Sequence, residues 1–250
     1  MRSPYSTLAL AALAAACQSP PAPEPPTVQA AANAKPATPT NADPKATPAA
    51  AAAPAAAVPG DASETRPLTV GAAVPDITLR GADGGEVKLR GRFADKPTVL
   101  IYYRGGWCPY CNTQLGALAA VEDKITAAGH QILAVSADKP AKLAESQQKH
   151  AMKYELLSDA SMAGARALGI AFENTTLYVM KLRGFGMNIE EASGHDHHQL
   201  PVPSVFLIDT QGMVRFAHSD PNYKVRLDAD ALLAEVTKLA AAPGGNGASK

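Results

Sequence analysis

The 250-residue chain lacks any net charge, with 23 basic side chains against 23 acidic ones. Without a basic excess it has no electrostatic footprint for a phosphate backbone, so nucleic acid is excluded as a partner and a small molecule or a protein thiol fits better. Cysteine is scarce, with three in the whole chain. A zinc site needs four ligands; with Cys17 far from the other two, histidines would have to complete one. Long apolar runs are missing as well: Leu8–Ala16 is too short to span a bilayer. From Gln18 to Arg66 the chain is almost all Ala, Pro, Thr and small polar residues, without the large apolar side chains that offset the entropy of ordering a backbone. Residues 18–66 therefore read as a disordered tether, extended at roughly 3 Å per residue and reaching on the order of 100 Å. Gly-rich 243–250 reads as a loose tail, and no internal repeat is evident.

The first residues look like an export leader: Arg2 gives a positive start, Leu8–Ala16 an apolar core, and Ala14, Ala15 and Ala16 the small residues a peptidase needs. Residues 1–16 followed by Cys17 resemble a bacterial lipoprotein signal, although Leu13 stands one place too early for the usual pattern. The resemblance implies acylation of Cys17 and an exported protein on the periplasmic side of a bacterial membrane, held there by its lipid. Ordinary secretion with Cys17 free is the alternative, but an exposed thiol in an oxidising compartment is an oxidation liability.

Residues 67–242 alternate short β-branched runs with amphipathic stretches, the pattern of one α/β domain around a mostly parallel sheet. Ile77–Leu79 and Glu86–Leu89 flank Gly81, Asp83, Gly84 and Gly85 as an N-terminal hairpin. Thr98–Tyr103 reads as a buried central strand and Gln131–Ser136 as its neighbour. Leu115, Leu118, Val121 and Ile125 recur at helical spacing. Further helices are expected over Pro140–His150, Met162–Leu168 and, capped by Asp228, through Leu232, Leu233, Val236 and Leu239. Tyr154–Leu157 should be extended, and Ser204–Asp209 with Val214–Ala217 a hairpin turning at Gln211-Gly212. The stretch 171–199 fits poorly and reads as an insertion, helical at Thr175–Leu182 and loose afterwards.

Arg104-Gly105-Gly106-Trp107-Cys108-Pro109-Tyr110-Cys111 lies where that central strand gives way to a helix. Two cysteines three apart in a first helical turn can close a disulfide, and the free N–H groups and dipole at that terminus stabilise a thiolate. A purely structural disulfide closing so small a loop would stabilise little. A zinc site would have to draw on the histidines. The strand–pair–helix order favours a redox pair, with the Cys108–Cys111 disulfide itself as the redox group and no other cofactor.

The Trp107–Cys111 segment resembles a thioredoxin-superfamily active site. Gly71 with Val74-Pro75-Asp76, Tyr102-Tyr103-Arg104, Val202–Asp209 and Asp220-Pro221-Asn222-Tyr223 are similar to the peroxiredoxin-like branch, the AhpC/TSA or redoxin family. The resemblance implies a thioredoxin-like α/β fold, with a central mixed sheet flanked by helices, and a thiol-dependent antioxidant peroxidase recycled by a thioredoxin-like dithiol. It also implies that Pro203 is a cis-proline facing the cysteines. By thioredoxin likeness Cys108 attacks and Cys111 resolves; by peroxiredoxin likeness Cys111 is the attacking thiol, Cys108 stands where a threonine is usual, and Pro203 stands near a usual arginine. Arg226 matches a second arginine of that pattern, and Arg104 precedes the motif. Trp107 is expected as a lid over the thiols, with Pro109 and Tyr110 as supporting residues of the motif. The substrate is a peroxide or, alternatively, the disulfide of an exported protein.

Gly194-His195-Asp196-His197-His198 adds three imidazoles and a carboxylate, able in principle to hold zinc or copper, although short His-rich loops are more often solvated. A metal-binding module built on His195, His197, His198 and the cysteines is thus a third reading. His130 and His150 are assigned to loop and helix surface.

Overall fold

The computed structural model describes residues 57–147 and 152–241 in full and the backbone of 148–150. The leader, Cys17, the tether up to residue 56 and the tail lie outside the described residues. Residues 57–66, assigned to the tether, are instead part of the domain. Asp61 caps a 3-10 turn at Ala62–Glu64, Val58 and Ala62 pack on the core, and the Arg66 N–H donates to Gly169 O at 2.9 Å. Gly169 has φ +72°, and a Cβ there would lie 2.0 Å from Arg66 O, so this docking requires glycine.

Strand β1 (Thr78–Gly81) and β2 (Glu86–Lys88) form the expected hairpin. Leu89 does not extend it but opens a helix, α1 (Leu89–Asp95), which the sequence reading missed. Only Leu89 and Phe93, four apart, mark its buried face, and Gly91 between them hides the pattern. Then come β3 (Thr98–Tyr103), α2 (Pro109–Ala127), β4 (Gln131–Ser136), α3 (Pro140–His150), β5 (Glu155–Ser158) and α4 (Ala163–Ala167). The sheet runs β2-β1-β5-β4-β3-β8-β9, where β8 is Ser204–Ile208 and β9 Val214–Ser219. It is mixed: β3, β4 and β5 are parallel, while every other pairing is antiparallel. The expectation of a mostly parallel sheet fails because hairpins, not crossover helices, supply the strands at both edges.

The stretch 171–199 is not loose. It holds β6 (Ala171–Glu173), α5 (Thr176–Gly184) and α6 (Ile189–Ser193), and β6 pairs antiparallel with β7 (Gln199–Pro201). Thr175 and Asn188 cap the two helices through their side-chain oxygens, while Val179, Leu182 and Ile189 enter the core. The final helix α7 (Ala229–Ala241) starts as expected, with Asp228 Oδ1 accepting the N–H groups of Asp230 and Ala231.

Every residue of β3 is buried. Leu100 and Tyr102 face one core with Phe93, Leu133 and Phe206. Val99, Ile101 and Tyr103 face the other, with Leu115, Leu118 and Ile125 of α2 and Leu232 and Val236 of α7. A strand covered on both faces reads as a continuous apolar run, as this one does. No described helix is long and apolar enough to cross a membrane.

Leu115 is fully buried on α2 and Leu177 is 77% exposed on α5. Leu115→Ala is expected to lower unfolding free energy by about 2–5 kcal/mol in a denaturant titration, and Leu177→Ala by no more than about 0.5 kcal/mol.

Candidate active site

The chain leaves β3 at Tyr103 and must turn within a few residues to start α2. Gly105 (φ +155°) makes that turn; a Cβ there would lie 2.2 Å from the Trp107 indole nitrogen and 2.7 Å from Asp138 Oδ1. The loop is then pinned. The Gly106 N–H donates to Asp138 Oδ2 at 2.7 Å, Asn112 Nδ2 donates to Gly106 O at 2.9 Å, and the Cys108 N–H donates to Gly105 O at 3.1 Å. Cys108 is the N-cap of α2 and Pro109 its first residue, a position where a missing N–H is harmless.

Cys108 and Cys111 are free thiols, 2% and 0% exposed. Hydrogen bonding from the Cys111 thiol lowers Cys108 to about 6, helped by the Cys111 main chain and by Arg104 and Arg226, and opposed by burial. Cys111 moves the other way, first through burial and then through its bond to Cys108 and that residue's charge. Arg226 lies on the Cys111 side, with Nη2 at 3.4 Å from Sγ, and draws charge toward that sulfur. Burial outweighs it at Cys111, whereas at Cys108 the hydrogen bond from Cys111 outweighs burial. Near neutral pH the pair therefore shares one proton, carried mainly by Cys111.

Arg104 is 3% exposed. Its guanidinium lies 5.2 Å from the Trp107 ring centre and 4.4 Å from that of Tyr223, and its Nη2 donates to the Tyr178 hydroxyl at 3.1 Å. Among the described residues neither Arg104 nor Arg226 pairs with a carboxylate, and Arg104 Nε and Arg226 Nε and Nη1 have no acceptor. A pocket of about 360 Å³ opens beside Arg104, walled by Phe172, Tyr178, Pro203, Pro221 and Tyr223.

Of the residues expected at the site, Cys108, Cys111, Trp107, Arg104 and Arg226 are brought together. Trp107 is half-buried and packs against both cores as well as Arg104, so it is more than a lid. Pro109 is exposed; Tyr110, 41% exposed, meets Tyr223 edge-to-face at 5.7 Å. Pro203 lines the Arg104 pocket, but its peptide bond is trans, since the described residues contain no cis bond. The β3–β8 register, Tyr102 opposite Ser204, brings Pro203 to the level of Tyr103 without one.

The three histidines lie close together but turn to separate partners. His195 stacks on His197 at 5.5 Å, His197 Nε2 meets Ala160 O, and His198 turns to Glu190. No group of three metal-ligating side chains occurs among the described residues, so the metal-module reading lacks a site there. His130 is buried rather than on a loop surface, and burial lowers its pKa.

Sequence reasoning missed Tyr178, which comes from the stretch read as an insertion, and Asp138. The signal for Asp138 was available: it follows β4, whose end lies beside the end of β3 in a parallel pair, where α/β sheets gather functional groups. Burial raises Asp138 to about 6 against the opposing bonds from Gly106, Ser136 and Trp107. Asp159, likewise raised to about 6 by burial, accepts the Gly164 and Ala165 N–H groups. The folded state thus holds protons that the unfolded chain has released, and stability falls as pH rises from about 4 to about 6. Each carboxyl accounts for on the order of 2–3 kcal/mol. Asp138→Asn is expected to remove about half of that slope in denaturant midpoints measured across this range.

A family model, the AhpC/TSA family, matches residues 70–217, more than half of the chain. Peroxiredoxin Bcp of Escherichia coli is 32% identical over 93 residues, which cover 37% of this chain and 59% of that protein. A chloroplastic peroxiredoxin Q of rice is 33% identical over 92 residues, 37% of this chain and 42% of the relative's own length. Among solved structures, Xanthomonas campestris peroxiredoxin Q aligns at TM-score 0.53 and 25% identity, covering 69% of this chain and 97% of that one. Reduced Prx3 of Vibrio vulnificus in complex with hydrogen peroxide aligns at TM-score 0.56 and 19% identity, covering 68% and 99%. These neighbours carry the thioredoxin-type fold that the mixed sheet and its helices reproduce here. With its pair of thiols at the end of a doubly buried strand and its match across the body of the domain, the chain belongs to the AhpC/TSA family.

Proposed function

We propose that the protein is a thiol-dependent peroxidase that works through Cys108 and Cys111. The observation that carries this reading is the charge pattern of the site: one thiol held toward its thiolate, with two guanidiniums acting on the pair and, among the described residues, no carboxylate paired with them. That is what attack on a peroxide demands, because negative charge passes from sulfur to the departing oxygen as the O–O bond breaks. The Cys108 thiolate takes one peroxide oxygen and, with a proton, becomes a sulfenic acid while water or an alcohol departs. The Cys111 thiol then condenses with it, releasing water and forming the disulfide. An external dithiol of thioredoxin type would restore both thiols. Burial of both sulfurs suits a small substrate better than a folded protein's disulfide, and the pocket beside Arg104 has room for an organic substituent.

Disulfide exchange with an exported protein is the second reading, favoured by the low position of Cys108 at a helix start. The leader-like residues 1–16 and Cys17 support an exported, lipid-anchored setting for either activity, and Cys17→Ser would release such a protein from the membrane fraction.

Fully reduced chain mixed with limiting hydrogen peroxide in a Cys17→Ser background is expected to consume it far faster than a free thiol. Cys108→Ser should abolish the fast phase, and Cys111→Ser should keep it but leave a trappable sulfenic acid. A fast phase that survives Cys108→Ser and is lost with Cys111→Ser would reverse the two roles. Wild-type consumption at the rate of a free thiol would overturn the peroxidase reading in favour of exchange.

A further inference from the structure

The peroxidase reading leaves Tyr178 unused. It lies on α5, in the stretch 171–199 that the sequence pattern set apart from the rest of the domain. Its hydroxyl accepts a hydrogen bond from Arg104 Nη2 at 3.1 Å, the one hydrogen bond the structure gives that guanidinium. The group also lies over the faces of Trp107 and Tyr223, and among the described residues its Nε has no acceptor. Aromatic faces attract a cation but do not neutralise it. A guanidinium so nearly removed from water is costly unless an anion stands close. The cysteine pair is near enough for the Arg104 charge to favour the Cys108 thiolate, and Arg226 Nη2 lies 3.4 Å from Cys111 Sγ. The reduced pair supplies one negative charge to this site, and the disulfide supplies none.

We propose that Tyr178 is a positioning residue: it holds Arg104 against the cysteine pair, so that closing the Cys108–Cys111 disulfide strips two sheltered guanidiniums of their anion and biases the couple toward the dithiol. The inference rests on the reading of Cys108 and Cys111 as a redox pair, and it adds that α5 belongs to the active site. Exchange with a reference dithiol balances as follows. The reference loses two electrons and two protons as its sulfurs join, and the Cys108–Cys111 bond takes both electrons and breaks. Cys111 keeps one proton, and the other goes to solvent because Cys108 stays a thiolate. Whatever weakens the hold of Arg104 on that thiolate shifts the exchange toward the protein disulfide.

The test is the redox equilibrium of the full chain, in a Cys17→Ser background, against dithiothreitol buffers at one neutral pH, read by the fluorescence of Trp107, the single tryptophan, and by thiol counting. Arg104→Met, which keeps the bulk and removes the charge, is expected to move the equilibrium about tenfold toward the disulfide, or about 30 mV. Tyr178→Phe, which keeps the ring and removes the acceptor, should move it about threefold in the same direction. The double variant should match Arg104→Met alone, as it must if Tyr178 acts only through Arg104. Either an unmoved equilibrium in Tyr178→Phe or additive shifts in the double variant would overturn the proposal. Wild-type protein that forms no Cys108–Cys111 disulfide even with excess diamide, a direct thiol oxidant, would instead overturn the redox pair itself, and the proposal with it.

Discussion

With both faces of β3 buried from Thr98 to Tyr103, the chain emerging from that strand has to exchange a fully paired backbone for a helix start in the space of a few residues. Sheet hydrogen bonds end at Tyr103, and the first amides of α2 have no partners of their own. Between them, Gly105 gives the turn and Asp138, from the end of the neighbouring parallel strand, accepts the Gly106 amide. The consequence is a cysteine at the N-cap and a second one three residues on, fixed at the edge of the core formed by Leu115, Leu118 and Ile125. The packing that stabilises β3 and α2 is thus the packing that places the thiols.

Charge in this dry setting is unevenly matched. Two guanidiniums approach the pair without a carboxylate, while the one acid next to the loop, Asp138, is driven by burial toward its neutral form. Raised only to about 6, Asp138 is still mostly a carboxylate at neutral pH, and it accepts the Gly106 amide as one. The hydrogen bond from Cys111, helped by the two guanidiniums, makes Cys108 acidic, while burial above all keeps the proton on Cys111.

The stretch 171–199 changes what the site is made of. Its strand β6 pairs with β7 immediately before Pro203 and β8, and its helix α5 carries Tyr178 to Arg104. Residues 57–66 cross to the same region, where the Glu173 N–H donates to Pro59 O at 2.8 Å. One segment that composition assigned to the tether and one that read as an insertion within the domain thereby line the Arg104 pocket, through Gly60, Asp61, Phe172 and Tyr178.

Alone, the sequence determined the elements whose signal is local. Strands β3 and β4, helices α2, α3 and α7 and the two hairpins follow from apolar period, caps and turn residues, which act over a few neighbours. The redox pair was legible for the same reason, since strand, CxxC and helix start are contiguous. Tertiary structure decided what depends on partners distant in sequence: the mixed sheet, the trans bond at Pro203, the separate hydrogen-bond partners of His197 and His198, and the meeting of Arg104 with Tyr178 and of Cys111 with Arg226. A thiol's acidity and a buried arginine's counter-ion are set by distance and by exclusion of water, and one-dimensional order does not encode either until the chain has closed on itself.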